Sequence, residues 1–336
     1  MLNQGLYKEF VRSGQVGIFC LEFARNYVIT MRPYLLFVSG ITGMAGLALS
    51  PETEISKLII YSLIFFLSYG FGQALTDCLQ IDTDALSSPY RPLVQGKIGR
   101  GAVAVVSLTG LLVGGAVLVN ANRANVIWVL MSIVGLATYT FFKRRWWAGP
   151  FYNAGIVGAL CLIGNLTGSP KSTSFDISAR AWAAASTAFF GYANFVLVGY
   201  YKDVSADRAT GYMTLPVVFG FKVSAVASDI FAALTSLSFA ATLWLILDGA
   251  GAWPAAWPSA AFALAGMVAL LWAQIRQHKV TDENVAHGAI ATVVHAYLLI
   301  LSAICVASRP EWALPLFFFY LAFIAFMKSR PVREQI

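Results

Sequence analysis

The feature that most constrains this chain is a repeating one. Apolar stretches long enough, or nearly so, to cross about 30 Å of hydrocarbon as helix recur from one end to the other. They fall at 33–50, 58–76, 102–120, 124–142, 151–168, 181–200, 223–247, 256–274, 286–307 and 312–328. In lipid every backbone N–H and C=O must find its partner within the chain, so such a series specifies helices and not an open sheet. The expected fold is all-α, a polytopic transmembrane helical bundle of nine or ten spans. The last stretch is the shortest and begins beside Pro310 and Pro315; nine spans plus an interfacial piece is the alternative.

Composition removes the soluble classes. Of the 336 residues, 58% are hydrophobic and 12% charged, with a mean hydropathy of +0.70; a soluble chain carries about 25% charged residues. That many apolar side chains cannot all be hidden in a water-soluble core, which excludes a soluble enzyme, and a disordered chain could not be so apolar. Cys20, Cys78, Cys161 and Cys305 are scattered without CxxC spacing, so neither a zinc site nor a disulfide scaffold is expected.

The net charge of +7 is distributed as a membrane protein distributes it. With ten spans and both termini inside, eighteen of the 23 basic residues fall on one side; only Lys57, Arg123, Lys171, Arg180 and Arg309 fall on the other. The positive-inside rule then places the N-terminus and the even-numbered span ends in the cytoplasm, as in a bacterial-type inner membrane. No basic run is interleaved with aromatics outside the apolar stretches, so a nucleic-acid partner is not expected, and no obligate protein partner is evident. Residues 1–32 read as an interfacial segment, with an amphipathic helix over 5–25 on the inner leaflet and no signal-peptide cleavage site. The membrane domain covers 33–328 and a cytoplasmic tail 329–336.

Against that background the acidic residues stand out. Asp77, Asp82 and Asp84 cluster at the end of span 2, and Asp203 and Asp207 at the end of span 6. Carboxylates at a membrane boundary are costly without a partner and mark sites. If span 2 continues as helix through Asp84, about 100° per residue puts Gln73, Asp77, Gln80 and Asp84 within an arc of roughly 60°, with Asp82 on the opposite side. Asp203 and Asp207, four apart, share a face in the same way. Oxygen-rich faces lacking histidine and thiolate suit Mg²⁺, which takes one or two carboxylates plus phosphate oxygens.

Cations follow each cluster: Arg91 within Pro89-Tyr90-Arg91-Pro92, Lys202 and Arg208 on either side of the second pair, and Lys143-Arg144-Arg145 closing span 4. Carboxylates and basic residues on one membrane face read as a phosphate site; the basic triplet also reads as an ordinary anchor. The 126 residues separating Asp77 from Asp203 hint at two related halves. Polar residues inside spans (Asn153, Asn165, Asn194, His295) and aromatics such as Tyr139, Tyr192 and Tyr200 read either as helix–helix contacts or as the wall of a site.

At these residues the chain resembles the intramembrane prenyltransferases of the UbiA superfamily. The first family motif, N-D-x-x-D-x-x-x-D followed by a P-Y-R-P-like stretch and glycine, is similar to Thr76-Asp77-Cys78-Leu79-Gln80-Ile81-Asp82-Thr83-Asp84, then Pro89-Tyr90-Arg91-Pro92 and Gly96. The second is similar to Lys202-Asp203-Val204-Ser205-Ala206-Asp207-Arg208, then Gly211, Thr214-Leu215-Pro216 and Gly220. The resemblance covers nearly the whole chain. It implies a bundle with a lateral opening to lipid and a cytoplasmic-side cap over the active site. It implies Mg²⁺ bridging a prenyl diphosphate to Asp77, Asp84, Asp203 and Asp207, with Lys143 or Arg144, Lys202 and Arg91 on the diphosphate. Thr76 stands at the usual Asn position and Gln80 at a usual Asp position, where its amide oxygen can still coordinate; a gapped alignment instead makes Gln73 the Asn equivalent. A tenth span departs from the usual nine.

The function expected is Mg²⁺-dependent transfer of a prenyl group from a prenyl diphosphate to a lipophilic, aromatic or quinone-like acceptor within membrane lipid. A terpene cyclase on the same scaffold is the alternative, and a secondary transporter with two structural repeats is the alternative of another class.

Overall fold

The computed structural model describes residues 17–51, 54–169, 177–250 and 257–330. Helices form where the apolar stretches lie: α1 (Leu21–Met31), α2 (Leu36–Ala48), α3 (Ile55–Asp77), α4 (Ile81–Ser87), α5 (Arg100–Ala121), α6 (Asn125–Lys143) and α7 (Gly149–Thr167). Then follow α8 (Ala179–Gly199), α9 (Val204–Ala209), α10 (Leu215–Ala250), α11 (Trp257–Gln277), α12 (His287–Ser308) and α13 (Ala313–Lys328). Among the described residues extended pairing is limited to one isolated bridge between Arg145 and Met213.

Nine of the described helices are long and apolar enough to cross a membrane, and a tenth span exists if the bent pair of α1 and α2 counts as one. The chain is a multi-pass membrane-spanning helical bundle. The first span expected over 33–50 is helical over Pro33–Ala48, and a further helix, α1, precedes it: Pro33 follows the left-handed Arg32 (φ 53°, ψ 72°), and the two helical parts meet at 44°. Proline cannot donate the hydrogen bond that would continue α1, so the chain turns at Arg32. Of the N-terminal amphipathic helix expected over 5–25, residues 5–16 lie outside the described residues. Phe23, Tyr27 and Met31 on α1 are buried against the α3 side of the bundle.

The bundle is built around α12. Its span is 89% buried, against 17% for the span containing α13 and 22% for α5, which present themselves to lipid. Small residues let α2 and α7 touch backbone to backbone: a Cβ at Gly164 would lie 2.2 Å from the Gly43 carbonyl oxygen, and one at Gly46 would lie even nearer to Cys161 O. In hydrocarbon, where helix association depends on close packing, no larger residue fits that crossing. The aromatic face of α13 closes on α2, with Phe37 4.8 Å from Phe319 and 5.7 Å from Phe323 between ring centres.

At one end of the bundle, called here the motif end, two short helices turn back over the interior. The continuous helix expected through Asp84 does not form. Helix α3 stops at Asp77, Gln80 leaves helical geometry (φ −123°, ψ 21°), and α4 restarts at Ile81. A straight continuation would have carried Asp84 about 10 Å farther out along the axis; the break folds it back over the bundle. The second motif breaks likewise: a 3₁₀ turn, Tyr200–Asp203, follows α8, and Asp203 (φ −117°, ψ 14°) precedes α9. The two cap helices touch through the hydroxyls of Thr83 and Thr210, 3.0 Å apart.

Candidate active site

Both breaks exist at acidic residues, and each delivers carboxylates to one place. Asp77 ends α3 almost fully buried, where its oxygens accept both 3.0 Å hydrogen bonds from Arg32 Nη2 and a 2.6 Å bond from Gln73 Nε2. Arg91 lies between the two acids of the first motif, with Nη1 3.7 Å from Asp77 and in direct contact with Asp84 Oδ2. The turn carrying Arg91 is fixed locally: Gln95 N–H donates to Arg91 O, Lys97 N–H to Pro92 O, and Gly96 takes φ 69°. Burial pushes the Asp84 carboxyl above the ordinary aspartate range, although Arg91 draws it down. Burial also works against the Arg91 charge, but Asp84 and then Asp77 outweigh it and hold the guanidinium charged.

The second motif arrives from the other side. Lys202 Nζ donates to Asp203 Oδ1 at 3.1 Å. Asp207 is wholly buried, 3.3 Å from Lys143 Nζ and accepting from Thr214 Oγ1 at 3.3 Å. Lys143 joins the motifs, since the same ammonium donates to Gln80 Oε1 at 3.1 Å. Four carboxylates (Asp77, Asp84, Asp203, Asp207) and four cations (Arg32, Arg91, Lys143, Lys202) thus neutralise one another in a ring at the motif end. So many buried charges are tolerable only because each stands against an opposite charge.

These charges stand around a cavity of about 190 Å³. Asp84, Asp203, Arg32, Arg91, Lys143 and Lys202 all line it, as do Gln73, Thr76 and Gln80. Asp77 and Asp207 stand behind this lining, held by its cations. Asp203 and Asp207, expected to share a face, are both near Lys143: the first lines the cavity beside it, and the second pairs with its ammonium from behind. Deeper in, Tyr139 and Tyr200 hydroxyls lie 2.8 Å apart, and Asn153, Tyr69 and Tyr192 complete the wall. An apolar groove of about 300 Å³ between α3, α5 and α6 adjoins the cavity and shares Ser68, Leu111, Ser132, Ile133 and Leu160 with it. From Lys143 to Val129 along α6 the two together span about 21 Å at 1.5 Å per residue.

The remaining sequence candidates fall outside this cavity. Asp82 is half-exposed and pairs with Arg144 at 3.4 Å. Arg144 stacks 4.7 Å from the Tyr212 ring, whose other neighbour is Lys143 at 5.0 Å. Arg208 is exposed on α9 and lines no part of the cavity. Asn194 accepts from Ser228, His295 Nδ1 meets Tyr320 OH at 2.8 Å, and buried Asn165 is absent from the lining. All three sit at helix contacts. Two residues were missed in the sequence. Arg32 reads as one more positive-inside residue, yet an arginine followed at once by proline between two apolar stretches is the signal of a helix break at a charge. Tyr212, fully buried between Lys143 and Arg144, follows Gly211 in the flank of the second motif and carried no signal of its own.

Comparisons with known proteins agree on one family. The model of the UbiA prenyltransferase family matches residues 36–288. Digeranylgeranylglyceryl phosphate synthase of Thermococcus kodakarensis is 27% identical over 217 residues, covering 64% of this chain and 76% of that protein; the Pyrococcus horikoshii protein of the same name is 25% identical over 231 residues, with the same coverage. A UbiA homologue from Aeropyrum pernix K1 shares the fold at a TM-score of 0.64 and 16% identity, covering 81% of this chain and 96% of that one. A homologue from Archaeoglobus fulgidus, solved with GPP and Mg²⁺, does so at 0.59 and 16%, covering 83% and 99%.

Proposed function

This chain belongs to the UbiA prenyltransferase family, and from that premise we propose that it moves a prenyl group from a prenyl diphosphate, held with Mg²⁺, to a lipophilic acceptor. One observation carries the reading: carboxylates and cations line a cavity that adjoins a long apolar groove. A molecule with a diphosphate head and a hydrocarbon tail matches both ends.

The residues present fit magnesium. The donors facing the cavity are oxygens (Asp84, Asp203 and the Gln80 amide), with no histidine or thiolate beside them. That matches an ion taking one or two carboxylates and completing its shell with phosphate oxygens and water. When bound, Mg²⁺ neutralises charge developing on the departing diphosphate.

The chain's own residues supply the rest. Arg32, Arg91, Lys143 and Lys202 bind phosphate oxygens, and Arg91 does so with a planar fork suited to two of them. Asp77 and Asp207 orient those cations from behind. As the allylic carbon–oxygen bond breaks, positive character builds at the prenyl terminus beside the Tyr139–Tyr200 pair, whose ring faces can stabilise it. The cap helices α4 and α9 exclude water from that carbon. The tail lies in the groove between α3, α5 and α6. The motif end faces the cytoplasm, on the strength of the basic-residue asymmetry.

The test is product analysis of the purified chain in lipid with prenyl diphosphates of several lengths and Mg²⁺, offering a quinone-precursor phenol or a prenylglyceryl phosphate. The second acceptor follows from the name of the archaeal relatives. A prenylated acceptor is expected with one of them. A terpene formed from the diphosphate alone would overturn transfer in favour of cyclisation, and the absence of pyrophosphate release from every donor would overturn both.

A further inference from the structure

Asp203 stands where a helix N-cap residue stands, immediately before α9, yet it caps nothing. An aspartate in that position ordinarily turns its carboxylate back onto the backbone N–H two or three residues on. Here the carboxylate instead lines the cavity beside Lys202. The nearer N–H such a cap reaches is that of Ser205, two residues on, and that hydrogen is already taken. Glu283 Oε2 accepts Ser205 N–H at 2.9 Å, while Glu283 Oε1 accepts Ser205 Oγ–H at 2.5 Å.

Glu283 comes from a distant part of the chain, the 3₁₀ turn Glu283–Val285 between α11 and α12. That turn is itself fixed by Asp282, whose carboxylate accepts Asn284 N–H at 2.8 Å. The central helix α12 begins directly after it, so the turn is anchored to the most buried element of the bundle.

We propose that Glu283 is a positioning residue for Asp203: by occupying the Ser205 N–H and hydroxyl it leaves the Asp203 carboxylate free to face the metal–diphosphate site. This rests on the reading of Asp203 as part of that site. Without Glu283, Asp203 turns back to cap α9, and the site loses an oxygen donor only in the fraction of molecules where it has turned.

The full-length chain in lipid nanodiscs tests this through Glu283→Ala, Glu283→Gln and Ser205→Ala. Two quantities are read: the Mg²⁺ concentration giving half-maximal pyrophosphate release, and calorimetric binding of inorganic pyrophosphate with Mg²⁺, which needs no turnover. Glu283→Ala is expected to raise the first and weaken the second by about five-fold, the size of one helix cap, with turnover largely restored at saturating Mg²⁺. Glu283→Gln restores both, because its amide oxygen still accepts the Ser205 N–H and its amide nitrogen donates to Ser205 Oγ. Ser205→Ala, which removes only the hydroxyl link, gives a smaller shift in the same direction and stands in if Glu283→Ala fails to fold. An unchanged Mg²⁺ requirement and unchanged pyrophosphate binding overturn the proposal, and so does a loss of turnover and melting temperature at unchanged Mg²⁺ requirement. If the wild-type chain binds Mg²⁺ and pyrophosphate but transfers no prenyl group, the transfer reading falls while the binding comparison still decides the role of Glu283. If it binds neither, both fall.

Discussion

Arg32 is the one non-glycine residue with positive φ among those described, and the left-handed region costs an ordinary side chain about 1–3 kcal/mol. The conformation persists because it aims a buried guanidinium at Asp77, through both carboxylate oxygens. Arg32→Ala leaves that carboxylate with Gln73 and a longer contact to Arg91; breaking a buried pair costs about 3–5 kcal/mol. A large fall in melting temperature together with loss of pyrophosphate release is expected, and Arg32→Lys, lacking the fork, restores the first better than the second. The acids of the two motifs separate by position. Asp82 ties the cap to Arg144 in solvent and Asp203 faces the cavity, so Asp203→Ala should abolish Mg²⁺-dependent pyrophosphate release while Asp82→Ala retains most of it. Equal losses would show that cap closure, and not donor geometry, limits the reaction. Residue types and spacing in the sequence set Asp82 apart from its neighbours, on the premise of a continuous helix that the structure breaks at Gln80. They were not enough to find Arg32, because its role comes from a bend that brings residues 45 apart into contact.

Among the elements, the breaks matter more than the helices. Helical periodicity placed Asp77, Gln80 and Asp84 on one face for the wrong reason. They converge because α3 ends and α4 folds back, and Arg91 is shared across the fold. A hydrophobic pattern cannot show such a break, since Leu79-Gln80-Ile81 is compatible with helix and the reversal is stabilised by contacts to Arg32 and Lys143 from other spans. The groove for the tail is likewise a property of three elements at once. Gly114 on α5 opens it: a Cβ there would come within 3.0 Å of Ile64 on α3. Gly114→Leu should fill the far part of the groove and shift donor preference toward shorter prenyl diphosphates, with the Mg²⁺ requirement unchanged. Comparing turnover across a donor series checks this, and a uniform loss at all lengths would place the tail elsewhere.

At the scale of the whole molecule, the helices carry the ring of charges at one end and lipid-facing apolar surface along their lengths. The side of the membrane that the ring faces is open to a direct measurement. A single cysteine introduced at the exposed Arg208 in a cysteine-free background should react with an impermeant maleimide only from the cytoplasmic side, and one at Glu311 only from the other; the reverse pattern would invert the orientation read from the basic residues. The amino-acid sequence by itself determined the helical class, the approximate number of spans and the pair of acid-bearing segments, because hydrophobic length and charge placement act locally and one segment at a time. Only the tertiary structure decided which acid meets which cation, that Asp77 and Asp207 stand behind the cavity, and that Glu283 reaches Ser205. Those outcomes depend on where chain breaks turn and on contacts between residues up to 78 positions apart, and the free energy of such contacts is set by burial that no single segment possesses alone.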